Sequence, residues 1–94
     1  MAALRGVEKQ LDDLAGLRAA PASPATAAAL RRALQQRSNY VVAKAAALAA
    51  EFGLTALLPD LARAFPRFLT DGAKTDPTCP AKIALIQALD TLEH

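Results

Sequence analysis

The sequence predicts an all-α domain of about five antiparallel helices. Apolar residues recur at intervals of three and four along each uninterrupted stretch, the spacing of one face of an α-helix. Alanine fills 24 positions and leucine 15, whereas there is no tryptophan, one tyrosine and three phenylalanines. That composition favours closely packed helices over sheets. At 94 residues the chain makes one domain spanning residues 1–94, near the lower size at which a single core offsets the chain entropy lost on folding.

The first helix is expected from about Ala2 to Arg18, where Leu4, Val7, Leu11 and Leu14 form the apolar stripe and Glu8, Lys9, Asp12 and Asp13 lie elsewhere. Pro21, Ser23 and Pro24 break the pattern, since each proline lacks an N–H and restrains the residue before it. A second helix follows from about Pro24 or Thr26 to Arg37, capped by Ser23, with Ala27, Leu30, Ala33 and Leu34 inside. Ser38 and Asn39 supply capping chemistry for a third, roughly Asn39 to Phe52, which buries Val41, Val42, Ala45, Leu48, Ala49 and Phe52. Gly53 closes it, free to adopt positive φ.

The fourth helix covers about Thr55 to Leu69, with Leu57, Leu58, Leu61, Phe65, Phe68 and Leu69 inward and Asp60, Arg63 and Arg67 outward. Pro59 falls in its first turn, where a missing donor costs little. Pro66 lies deeper, deprives the carbonyl of Ala62 of its donor, and is expected to bend or shorten the helix. After the connection Thr70 to Thr75, Asp76 or Thr78 caps a last helix that tolerates Pro77 and Pro80 in its first turn. Its core stripe is expected to be Ile83, Ile86, Leu89 and Leu92, with Leu85 flanking. Leu92, Glu93 and His94 also match the start of a common purification-tag junction, so residues 92–94 are either native or tag-derived.

An offset of 38 residues sets the third helix over the fifth: Ala43-Lys44 meets Ala81-Lys82, Ala46 meets Ala84, Leu48 meets Ile86, and Ala50 meets Ala88. Paired-helix repeats have periods near this length. The match lapses where Glu51 meets Leu89 and Phe52 meets Asp90. At these residues the chain resembles HEAT-repeat proteins: Val41 to Gly53 looks like a first repeat helix, and Leu57-Leu58-Pro59 with Leu61 like the start of its partner. Ser38 to Val42 and Lys74 to Lys82 are similar to a bacterial HEAT-domain group of unassigned function. The resemblance covers residues 26–92 and implies a HEAT-like superhelix, here as a short piece of a longer solenoid. It is silent about chemistry.

Several function classes lose support from the residues alone. Ala19 to Leu30, the longest uncharged run, is 12 residues long and broken by Pro21 and Pro24, too short to span a bilayer. Arg5, Glu8, Lys9, Asp12, Asp13 and Arg18 interrupt any secretory h-region, and a cytoplasmic protein is expected. Cys79 has no second cysteine, and the sole histidine is His94, so neither a metal site nor a cofactor is expected. Asp12 and Asp13 point about 100° apart on a helix, poor geometry for a shared acid/base pair. No catalytic residue can be assigned.

The charge is uneven. Residues 18–67 carry a net +5 against +2 for the whole chain, and Arg31, Arg32, Arg63 and Arg67 could line a basic groove on neighbouring helices. Lys74 and Lys82, with Asp71 and Asp76, either fix the long connection onto the last helix or join a binding surface. Those six cations are the candidate partner-binding residues. The leading expectation is a non-enzymatic protein-interaction or scaffold module. The alternative is a nucleic-acid-binding protein that contacts phosphates through the basic face, although stacking aromatics are scarce. A homodimer through the last helix is also expected, because nothing after it covers its large aliphatic side chains.

Overall fold

The computed structural model describes residues 2–69 and 80–93. Among the described residues there are five α-helices: α1 Ala2–Gly16, α2 Pro24–Leu34, α3 Asn39–Glu51, α4 Leu58–Leu69 and α5 Pro80–Glu93. A 3₁₀ turn, Leu17–Ala19, prolongs α1, and another, Thr55–Leu57, leads into α4. No strand occurs among the described residues. The stripe positions Leu4 and Val7, the connection Thr70 to Thr75 and the capping candidates Asp76 and Thr78 lie outside the described side chains.

The helix ends are set by local chemistry. The Ser23 hydroxyl accepts from the Ala25 N–H at 3.2 Å, and Pro24 occupies the first position of α2. The Thr26 hydroxyl donates to the Ala20 carbonyl at 2.6 Å, which ties α2 to the turn before it. The Ser38 hydroxyl accepts from the Val41 N–H at 3.4 Å. At the end of α3 the Leu54 N–H reaches the Ala49 carbonyl at 3.0 Å and the Gly53 N–H the Ala50 carbonyl at 3.1 Å. These are the two bonds of a Schellman motif, and they require the positive φ of +67° that Gly53 adopts.

Packing orders the helices in two layers within a slab of 33 × 31 × 16 Å. One layer is α1, α3 and α5 side by side; α2 packs on α3, α4 packs on α5, and α2 touches α4. The central helix is therefore α3, and Val41, Val42, Ala45, Ala46, Leu48 and Ala49 are all buried. Its alanines let the α5 backbone approach closely, and α3 with α5 is the most extensive packing in the molecule. Leu30, Leu34, Leu57, Leu61, Phe68 and Leu85 complete the core from the other helices.

Three expectations are corrected. The last helix is rotated: Ala81, Leu85, Ala88 and Leu92 face the core, while Ile83 and Ile86 are 52% and 54% exposed. The small Ala81 and Ala88 fit against the alanine-rich side of α3 better than two isoleucines would, so the narrower face wins. Second, α2 stops at Leu34 rather than Arg37, because its last turn tightens into bonds from Gln35 to Arg32 and from Gln36 to Ala33. Third, Leu69 is exposed at the end of α4, and Ala64 takes the inward position with Leu61 and Phe68. Pro66 does not shorten α4, which continues through it to Leu69.

Candidate docking face

The outer side of α2 and α4 gathers a group of interacting charges. Asp60 sits in the first turn of α4, where the helix dipole favours a carboxylate. Its side chain is 10% exposed and lies between two arginines. The Arg31 Nε donates to Oδ2 at 3.2 Å from across the helix pair, and Nη2 of Arg63, one turn along α4, is 3.9 Å from Oδ1. Arg63 itself is 75% exposed.

Arg67 lies one further turn along α4 and crosses to the C-terminus of α2. Its guanidinium donates to the carbonyls of Leu34, Gln35 and Gln36, the last two at 3.1 and 3.4 Å. Those oxygens carry the negative end of the helix dipole and have no donor within α2, so a planar cation with several N–H groups satisfies them at one stroke. The same guanidinium rests 5.5 Å from the centroid of the Phe68 ring. Between α2 and α4 this leaves a pocket of about 230 Å³, with Leu34 and Ala64 as apolar lining and Gln35, Asp60, Arg63 and Arg67 as polar lining.

Of the six cations expected to bind a partner, the structure brings together Arg31, Arg63 and Arg67. Arg32 lines a separate groove of about 250 Å³ with Asp13 and Gln36 over Leu14, Leu17 and Ala33. Lys82 is half-buried on the first turn of α5 and lines neither pocket, and Lys74 lies outside the described residues. Asp60 is the member that sequence reasoning treated merely as outward-facing. Its place in a helix first turn, three residues before Arg63, was the available signal.

A second charged contact closes the other end of the molecule. Arg18, after α1, holds the Glu51 carboxylate at the end of α3 with two bonds, Nε to Oε2 at 2.8 Å and Nη2 to Oε1 at 3.1 Å. The hydrogen bond from Arg18 lowers the Glu51 pKa below its ordinary value, and the same bond raises that of Arg18.

Outside these contacts the described surface offers little preorganised polar chemistry. Among the described residues every buried side-chain nitrogen and oxygen has a hydrogen-bond partner, and no group of three His, Cys, Asp or Glu residues could hold a metal ion. No described helix is long and apolar enough to cross a membrane. Comparison with family models, curated proteins and solved structures finds no match to this chain.

Proposed function

We propose that the chain is a cytoplasmic, non-enzymatic protein-interaction or scaffold module of HEAT-repeat type. The observation that carries this reading is the outer face of α5. Under the offset of 38 residues, Ile83 and Ile86 occupy the positions of Ala45 and Leu48 on α3. The α3 pair is completely buried because α3 has neighbours on both sides of its layer, whereas half of each isoleucine lies open. The face of α5 thus has the chemistry of a helix that is packed against another helix, and a helical partner is its natural occupant.

Covering the open halves of the two isoleucines contributes roughly 1 kcal/mol each. A partner must therefore bring a larger contact area than this pair alone, and a two-fold pairing of two α5 helices is expected to be weaker than a complex with a separate helical protein. The nucleic-acid reading draws on the convergence of Arg31, Arg63 and Arg67. Against it stand Asp60 at the centre of that group, the engagement of Arg67 with three carbonyls, and the separate location of Arg32.

Affinity capture from the source cells with the wild type and with an Ile83→Ser/Ile86→Ser variant tests the proposal. Both positions are half-exposed, so the variant should stay folded with a thermal midpoint lowered by only several degrees while losing the captured partner. A folded variant that retains the same partner would remove α5 as the interface. Sedimentation equilibrium on the two proteins decides the homodimer in parallel.

A further inference from the structure

We propose that the pocket between α2 and α4 is a second docking site, and that it takes an acidic segment of a partner protein. This deepens the reading of the domain as a protein-interaction module and rests on it, but it uses a face different from α5.

The donor count sets the size of the occupant. Arg67 directs both Nη groups at the carbonyls of Leu34, Gln35 and Gln36, and turning outward would strip the end of α2 of these bonds. Arg31 spends its Nε on Asp60 and keeps both Nη groups for another acceptor. Arg63, at 75% exposure and 3.9 Å from Asp60, keeps nearly all of its guanidinium. Two guanidiniums with spare donors, Arg31 and Arg63, therefore flank one largely covered carboxylate. The surplus is positive and local, and each guanidinium can grip a carboxylate in two-pronged fashion.

The lining decides between kinds of anion. Leu34 and Ala64 border the space of about 230 Å³ but are themselves buried, so its accessible wall is made by the arginines and Gln35 rather than by an apolar seat. A base would need a stacking surface, and the one aromatic ring at this face, Phe68, is buried with Arg67 over it. A nucleic-acid backbone also presents a dense row of charges that rewards a long run of cations. Here Asp60 interrupts the run, and Arg32 lies in the other groove. A short acidic peptide asks for two or three carboxylate contacts, which the spare donors of Arg31 and Arg63 supply.

Fluorescence anisotropy of the full chain against a short labelled peptide of Glu and Asp residues tests the assignment. The controls are its Gln/Asn analogue and a duplex DNA of matched charge. The expected result is binding of the acidic peptide that weakens with added salt, is lost in the analogue and falls about tenfold or more in Arg63→Glu, a well-exposed position whose thermal midpoint should not change. Ile83→Ser/Ile86→Ser should leave peptide binding intact. Equal binding of peptide and analogue, or an Arg63→Glu protein that binds as the wild type does, would overturn the proposal. Tighter binding of the DNA would overturn it in favour of a phosphate backbone. Loss of peptide binding with partner capture through α5 retained would reject this site while leaving the module reading standing.

Discussion

The orientation of α5 is open to a decisive pair of substitutions, Leu85→Ala and Ile86→Ala. The two residues are adjacent, both aliphatic and of nearly equal size, yet Leu85 has no exposed surface and Ile86 is 54% exposed. Truncating a fully buried leucine removes its transfer free energy and leaves a cavity, together about 2–5 kcal/mol. The site offers little room to collapse, because α5 is held between α3 and α4 in the most extensive packing of the fold. For a domain of this size the whole stability is on the order of 5–10 kcal/mol, so a loss near 3 kcal/mol consumes a large share of it. At about 4–8 °C per kcal/mol the thermal midpoint should fall by roughly 12–24 °C. Ile86→Ala opens no cavity and should cost about 0.5 kcal/mol, a change of a few degrees. Urea unfolding followed by circular dichroism measures both, with unchanged m-values showing that the unfolding reaction is the same. If Ile86→Ala costs as much as Leu85→Ala or more, the rotation of α5 described above is wrong.

Arg67→Met keeps most of the apolar stem but leaves the carbonyls of Leu34, Gln35 and Gln36 without that donor; a loss of about 1–3 kcal/mol is expected in the same assay, and Arg67→Lys should recover only part of it because an ammonium lacks the planar fork. A loss within error of zero would mean that water replaces the guanidinium at no cost. The Arg18–Glu51 contact predicts a pH dependence: the folded carboxyl has its pKa below that of the unfolded chain, so its contribution is present above the unfolded value and is lost as the pH falls through the folded one. Arg18 is raised from an already high value, so its share fades only in strong alkali, outside the neutral range. Stability measured against pH should therefore drop on the acid side more steeply in the wild type than in Glu51→Gln, and superimposable acid limbs would show the contact to be energetically silent.

How much of this was legible beforehand differs from element to element. Ser23 with Pro24, Ser38 with Asn39, and Gly53 after Phe52 each encode a helix end through chemistry contained within a few residues. Those boundaries were readable for that reason. The inner stripe of α4 was readable in part: Leu61 and Phe68, with Leu57 just before the helix, are buried as their spacing requires, whereas Leu69 is exposed and Ala64 takes the inward place. The candidate docking face was half readable: Arg63 and Arg67 share a helical face by spacing. Their different roles were not, because what distinguishes them is the end of α2, more than thirty residues away in the chain.

The last helix separates the two kinds of information most clearly. Ala81, Ile83, Ala84, Leu85, Ile86, Ala88, Leu89 and Leu92 surround α5 with apolar side chains, so periodicity alone offers two overlapping stripes of similar quality. Local propensity makes that segment a helix whichever stripe is buried, and the sequence by itself determined that much, as it determined the all-α class and the capped ends. Which stripe turns inward depends on the surface it meets. That surface is α3, where Ala45, Ala46 and Ala49 admit a close backbone approach, together with α4, and close packing selects the face that carries Ala81, Leu85, Ala88 and Leu92. The same packing leaves Ile83 and Ile86 open and draws Arg67 onto the carbonyls of α2. Only the tertiary structure decided these, because complementarity between helices brought together from distant parts of the chain is a property of the pair and is written in neither helix alone.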